Sequence, residues 1–92
     1  MKHYFILFYT TVADYLLKRE VYRKDHLTLI HIAYKNGGLI MAGALAEPAD
    51  GALLVFKEKS DAIAFAENDP YVKNGLISKW HVQPWVVVSN NK

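Results

Sequence analysis

Apolar residues are distributed along the chain in four short continuous runs and one longer stretch with helical periodicity. Runs of strand-forming residues predict four β-strands, at positions 3–9, 39–46, 52–56 and 77–88. The second strand contains Gly43, which is typical of a bulge or of a close approach to the backbone, and the fourth contains Pro84, which is typical of a sheet edge or a bulge. Turn-forming residues at 47–51 separate the second and third strands, so these two strands should form a hairpin.

The periodic stretch predicts a helix over residues 19–35, which ends at the two glycines after Asn36. Residues 12–18 fit either a loop or a first helical turn. One face of the helix carries Tyr22, His26, Leu29, Ile30 and Ala33. Four of these five residues are apolar or aromatic, so this face should pack on the core and carry the His26 imidazole with it. Because burying a polar group without a hydrogen bond costs roughly 1–3 kcal/mol, His26 needs a partner.

A second, shorter helix is predicted over residues 61–67, with Ser60 as its N-cap. It should end before Pro70, because the residue preceding a proline is pushed out of helical geometry, and residues 71–75 should be irregular. The order β-α-β-β-α-β predicts an α+β fold of the ferredoxin-like split βαβ type. In that fold two helices cover one face of a four-stranded antiparallel sheet.

The sheet face opposite the helices should be unusually apolar. The first strand is apolar on both of its alternating faces, and the last strand has large apolar residues on both. In the last strand, one face carries Trp80, Val82, Val86 and Val88, and the other face carries Trp85 and Val87. An apolar face of this kind is normally buried against a second copy of the same chain, so we expect a homodimer.

Composition and charge exclude several classes of protein. A chain of 92 residues with 52% hydrophobic and 22% charged residues is typical of one globular domain. A net charge of +2 is too small to indicate a nucleic-acid partner. No uncharged apolar run approaches the roughly 18 residues of a membrane span, and the N-terminal run lacks a signal-peptide cleavage site. We therefore expect no membrane partner. The lack of cysteine fits a reducing compartment, so we expect a cytoplasmic protein.

The four histidines and a cluster of basic residues are the next candidate site residues. The four histidines lack metal-ligand spacing and no cysteine could complete a zinc site, so we expect neither a metal nor a cofactor. His31 should face solvent. Basic side chains cluster in the first helix, at Lys18, Arg19, Arg23 and Lys24, and the cluster as a whole is typical of a solvated face. Arg23 differs because it lies three residues before His26, where it could hold an anionic substrate group.

Asp69 is the candidate partner of His26. Alone, each residue fits a structural role more readily than a catalytic one, since a buried histidine can be part of a core and an aspartate before proline is typical of a turn. In a split βαβ fold, however, both helices lie on the same sheet face, and the end of the second helix can approach the first. Asp69 could then accept a hydrogen bond from Nδ1 of His26 and leave the other ring nitrogen reactive.

At these positions the chain resembles the YCII-related (YciI-like) domain family. The matching segments, in order, are Arg23 to Leu27, Ala42-Gly43, Asp69-Pro70-Tyr71, Gly75-Leu76 and Pro84-Trp85. The resemblance implies a small dimeric ferredoxin-like fold with an active site built around a histidine–aspartate pair, here His26 and Asp69. One branch of the family is associated with dehydrochlorination of a chlorinated hydroquinone. Most members have no assigned reaction.

Two functions remain open at this stage. The first is a small cofactor-free enzyme that uses His26 for general acid–base chemistry on a small phenolic or otherwise acidic molecule. The second is a dimeric module that binds a small molecule without converting it, with a structural His–Asp pair. In either case we expect the pocket between the first helix, Gly43 and residues 69–76. Gly43 would allow close approach to the strand, and Tyr71 would provide an aromatic wall.

Overall fold

The computed structural model describes residues 2–90 and contains four strands and three helices over that range. In chain order these are β1 (Lys2–Thr11), α1 (Tyr15–Lys35), β2 (Leu39–Ala44), β3 (Gly51–Phe56), α2 (Lys59–Asn68), α3 (Pro70–Lys73) and β4 (Ile77–Val87). The strands form one antiparallel sheet in the order β2-β3-β1-β4. The predicted α+β class, the four-stranded antiparallel sheet and the β2–β3 hairpin are therefore confirmed. No helix in the described range is long and apolar enough to cross a membrane.

The core lies between the helices and one face of the sheet. Leu7 and Tyr9 point toward it from the central strand β1, and Leu54 points toward it from the neighbouring strand β3. From α2, the small and aromatic residues that fill the core are Ala62, Phe65 and Ala66. The predicted stripe of α1 packs against the same core through Tyr22, Leu29, Ile30 and Ala33. Because these side chains occupy one face of the sheet, the helices cover that face.

The pairing of β4 with β1 decides which aromatic residues of β4 remain outside the core. Trp80 lies opposite Tyr9, and this register places it on the helix-covered face, where it packs against the core. Trp85 lies opposite Tyr4, on the other face, and is 45% exposed. Alternation of side chains along each strand therefore leaves the second face with Tyr4, Ile6, Phe8, Val55 and Trp85.

The structure decides one open alternative and corrects two local predictions. α1 begins at Tyr15, so residues 15–18 form a helical turn rather than a loop, and burial of the Tyr15 ring shows that tertiary packing stabilises this turn. Ser60 lies inside α2, whose N-cap position is Glu58, and no side chain caps that end. Residues 71–75 are not irregular throughout, because α3 occupies Pro70–Lys73.

Candidate active site

Asp69 lies at the junction of two helices. Its extended backbone ends α2, and the same residue is the N-cap of α3, where its Oδ1 accepts a 3.0 Å hydrogen bond from the backbone N–H of Tyr71. Pro70 occupies the first position of α3, which suits its fixed φ and its missing N–H. The local sequence Asp-Pro-Tyr thus holds a fully buried carboxylate in a fixed orientation.

Three donors surround this buried carboxylate. Oδ1 accepts the backbone hydrogen bond of Tyr71 and also lies 2.8 Å from Nδ1 of His26. Oδ2 accepts a 2.7 Å hydrogen bond from the hydroxyl of Tyr9 on the central strand. The proposed partner of His26 is therefore in place. A buried carboxylate with three hydrogen bonds is well satisfied, which is the condition for keeping a charged group inside a protein.

The hydrogen bond to Asp69 determines which nitrogen of His26 is available. A carboxylate only accepts hydrogen bonds, so Nδ1 carries the proton, and in the neutral ring Nε2 carries the free lone pair. Nε2 has no protein partner in residues 2–90, and the one buried side-chain nitrogen or oxygen without a partner in that range is Nε of Arg19. Nε2 of His26 is therefore accessible from outside the core, consistent with a side chain that is 12% exposed.

Tyr9 is held as a permanent donor. Burial raises the pKa of its hydroxyl far above the usual value of about 10, and the charge and hydrogen bond of Asp69 raise it further. The hydroxyl consequently stays protonated and keeps Oδ2 of Asp69 occupied. Since Oδ2 is engaged in this way, the carboxylate presents Oδ1 to His26.

Aromatic rings hold the imidazole in position. The Tyr71 ring stacks on the His26 ring with centroids 3.8 Å apart and planes inclined by 7°. Phe65 contacts the imidazole edge-on at 6.4 Å, and Tyr15 contacts Tyr71 edge-on at 5.8 Å. Burial raises the pKa of the Tyr71 hydroxyl and the nearby Tyr15 adds to this effect, which the positive charges of Arg23 and Arg19 oppose.

A cavity of about 260 Å³ opens beside His26. Its walls come from α1, α3 and all four strands, and include the predicted site residues Arg23, Gly43 and Tyr71 together with Tyr15 and Arg19. This volume lies just under the range of roughly 300–1,000 Å³ that is typical of sites for drug-sized ligands. The cavity therefore suits a small molecule of about one ring.

The Gly43 backbone lines this cavity, but the position does not point into it. Gly43 pairs with Leu53, whereas Ala44 pairs with Ala52, which packs against the helix-covered core. A Cβ at position 43 would meet no atom within 4 Å. Strand alternation therefore directs the side chain of Ala44, rather than a side chain at 43, toward the cavity.

Three residues of the site were missing from the sequence-based prediction. Tyr9 was placed in the first strand without a role, because alternation alone does not decide which of two apolar faces meets the helices. Tyr15 lies in residues 12–18, which fit either a loop or a helical turn by sequence, and Arg19 belongs to a basic cluster that is typical of a solvated face. Lys18 fits that description, since it is exposed and lies 3.6 Å from Asp14, but Arg19 is half-buried and lines the cavity. Helical spacing was the signal that could have identified Tyr15 and Arg19, because both lie on the same face of α1 as His26.

Residues 2–90 contain no group of three or more histidine, aspartate or glutamate side chains that could hold a metal ion.

Comparison with solved structures identifies a similar fold. The chain matches 5-chloro-2-hydroxyhydroquinone dehydrochlorinase of Burkholderia phenoliruptrix, solved in complex with 2,5-dihydroxybenzoquinone, with a TM-score of 0.74. The match covers 90% of this chain and 93% of the dehydrochlorinase at 19% sequence identity, which supports the fold alone. No curated protein matches the chain. A model of the YCII-related domain family matches residues 3–86, nearly the whole sequence. The chain therefore belongs to the YCII-related domain family, as its motifs indicated.

Proposed function

We propose that this protein is a small enzyme that uses His26 and Asp69 for general acid–base chemistry on a small acidic, phenolic substrate, without a cofactor. One observation carries the proposal. Nδ1 of His26 is bound to a buried carboxylate, while the opposite nitrogen has no partner among residues 2–90 and the imidazole lines a cavity. A base needs this combination of a fixed tautomer and a free, accessible lone pair.

The geometry supports a simple proton transfer. Nε2 of His26 accepts a proton from a substrate O–H or C–H, and the ring becomes an imidazolium whose Nδ1–H remains bonded to Asp69. The carboxylate stabilises the new positive charge. Arg23, which lines the same cavity, stabilises negative charge that develops on the substrate. The proton on Nε2 then returns to another substrate atom, or it leaves to water after a halide departs with its bonding electrons.

The substrate class is supported by cavity size and by the similar structure. A cavity of about 260 Å³ suits a one-ring molecule. The dehydrochlorinase of similar fold is named for its action on a chlorinated hydroxyhydroquinone and was solved with a dihydroxybenzoquinone. Elimination of HCl from an activated ring begins with removal of a proton, a step that His26 could perform here.

The proposal is tested with the wild-type protein and two histidine variants of α1. Chlorinated hydroquinones, including 5-chloro-2-hydroxyhydroquinone, are assayed for chloride release, and phenols and hydroquinones for deuterium exchange in D₂O by NMR. His26→Gln should lower any activity by about 10²- to 10⁴-fold, the usual contribution of a positioned acid–base group, with little change in the melting temperature. His31→Gln is the matched control, because His31 is an exposed histidine of the same helix outside the cavity lining.

The alternative is a binding module in which the His–Asp pair has a structural role. The hydrogen bonds of Asp69 connect α1, β1 and α3, and under this alternative the pair serves to stabilise the packing of these elements. In that case His26→Gln should lower the melting temperature. The wild type would then bind single-ring phenols without exchange or chloride release.

We further propose that the strand order β2-β3-β1-β4 is the ferredoxin-like arrangement, and that two copies associate through the uncovered sheet face. Large apolar side chains on that face support this, among them Trp85, which is 45% exposed. Light scattering should give twice the chain mass of 10.5 kDa, and a stable monomer at micromolar concentration would refute the dimer. The cytoplasmic location and the lack of a nucleic-acid partner stay predictions of the sequence.

A further inference from the structure

Arg19 has an unusual position for a basic residue. Its Nε is the one buried side-chain nitrogen or oxygen in residues 2–90 that lacks a hydrogen-bond partner. Its guanidinium lies over the Tyr15 ring, with Cζ 5.5 Å from the ring centroid, which holds the cation in place without neutralising it. An arginine that is half-buried at a cavity with an unpaired donor is a candidate ligand-binding residue.

The surroundings of Arg19 carry an uncompensated positive charge. Arg23 lines the same cavity, and neither arginine forms a salt bridge within the described part of the chain. Among the described residues, the cavity lining contains no aspartate or glutamate. Asp69 lies behind the imidazole, where its two oxygens are already occupied by three donors. Within residues 2–90, the cavity therefore has two guanidinium groups and no carboxylate in its lining to neutralise them.

Arg19 and His26 are held in a fixed relation to each other. They lie seven residues apart on one continuous helix, so they share a face with their Cα atoms about 10 Å apart along the axis. A continuous series of ring contacts also joins them, from the guanidinium to Tyr15, from Tyr15 to Tyr71, and from Tyr71 to the imidazole. Both ends of a bound molecule would therefore meet preorganised groups.

We propose that Arg19, with Arg23, forms an anion subsite and that the substrate is a small planar acid. The carboxylate of this acid binds the guanidinium groups while its opposite end reaches Nε2 of His26. This inference rests on the proposed function and names the substrate class of the same site. A planar guanidinium pairs with a carboxylate through two parallel hydrogen bonds, which would engage the unpaired Nε. The aromatic walls suit a flat ring between the two ends.

The test uses benzoate and benzamide as probes, which share a planar ring but differ in charge. Calorimetry on the wild type at low salt should show at least about 10-fold tighter binding of benzoate, as expected for a charge-assisted pair. Salt at about 0.5 M should reduce this preference through screening. Arg19→Met keeps an apolar stem and removes the charge, so it should weaken benzoate binding about 10-fold and leave benzamide binding within about 2-fold. Lys24→Met removes one positive charge from an exposed position of the same helix, outside the cavity lining, and should change neither.

The opposite results would overturn the proposal. These are equal affinity for the two probes in the wild type, no benzoate binding at millimolar concentration, or an unchanged preference in Arg19→Met. If Arg19→Met does not fold by circular dichroism, Arg23→Met serves as the second variant, and an unchanged preference there has the same meaning. His26→Gln separates the two proposals, because it keeps both guanidinium groups and should therefore keep the preference for benzoate over benzamide while it loses acid–base activity. If the wild type binds benzoate and benzamide equally well but still catalyses deuterium exchange of phenols, the proposed substrate class is rejected and the acid–base function is retained.

Discussion

The hydroxyl of Tyr9 supplies the one hydrogen bond that Oδ2 of Asp69 receives within residues 2–90. Tyr9→Phe removes this donor and leaves the ring in its place in the core. Oδ2 of Asp69 is then buried without a hydrogen-bond partner, since Asp69 has no exposed surface. We expect removal of this hydroxyl to lower stability more than most surface substitutions do, because an unsatisfied buried charge is costly.

The size of the effect follows from the type of hydrogen bond that is lost. A hydrogen bond to a charged group contributes about 1.5–3 kcal/mol, so Tyr9→Phe should lower the free energy of unfolding by about 2 kcal/mol at neutral pH. For a domain of this length the melting temperature should fall by roughly 8–16 °C. Urea denaturation followed by circular dichroism measures the difference.

Tyr4→Phe is the matched control for this measurement. Tyr4 lies on the same strand but on the opposite face, and its hydroxyl makes no hydrogen bond within the described range. It should change stability by less than about 0.5 kcal/mol. Equal stabilities of Tyr9→Phe and Tyr4→Phe would refute the assignment of the Tyr9 hydroxyl as the donor that keeps Asp69 satisfied.

The difference between wild type and Tyr9→Phe should also depend on pH. Above about pH 10 the unfolded chain releases the Tyr9 proton, whereas the folded protein retains it because its pKa is raised. The unfolded state then binds fewer protons, so this residue makes stability fall by about 1.4 kcal/mol per pH unit as the pH rises. The variant lacks this contribution. The stability gap between the two proteins should therefore narrow between pH 10 and 11, and a constant gap would contradict a raised pKa.

Three further substitutions test the site and the assembly. Asp69→Asn should place its amide oxygen where Oδ1 now accepts two hydrogen bonds, so His26 keeps its tautomer and loses only the stabilising charge. In this variant kcat should fall about 10- to 30-fold, whereas a fall of about 10⁴ would indicate that His26 takes the wrong tautomer. Ala44→Leu should fill the cavity and weaken benzoate binding at least about 10-fold by calorimetry. Gly43→Val directs its side chain to the other sheet face and should weaken binding less. A larger loss of affinity in Gly43→Val than in Ala44→Leu would contradict the strand register. Trp85→Lys should convert the proposed dimer to monomer in light scattering, and an unchanged mass would place the interface elsewhere.

Much of the fold was accessible from sequence because its elements follow local rules. Runs of strand formers marked the strands, and the 3.6-residue period of α1 placed His26 beside Leu29 and Ile30 on the core-facing side. The pairing of His26 with Asp69 needed one further step, the knowledge that both helices of such a fold lie on one sheet face. The Asp-Pro sequence also marks the start of α3, since aspartate caps helices and proline favours their first position, but it was interpreted only as the end of α2.

The sequence by itself determined the α+β class and the core-facing stripe of α1, because both depend on side chains close together in the chain. It marked His26 and Asp69 as candidate site residues, but their pairing across 43 residues depended on the arrangement of the helices. Tertiary structure alone decided which face of β1 meets the helices, and so brought the Tyr9 hydroxyl to Asp69 from 60 residues away. It also decided that α1 begins at Tyr15, which places the Arg19 guanidinium over that ring and at the cavity. The two-residue periodicity of a strand is the same for both of its faces, so only packing and register could decide which face of β1 meets the helices.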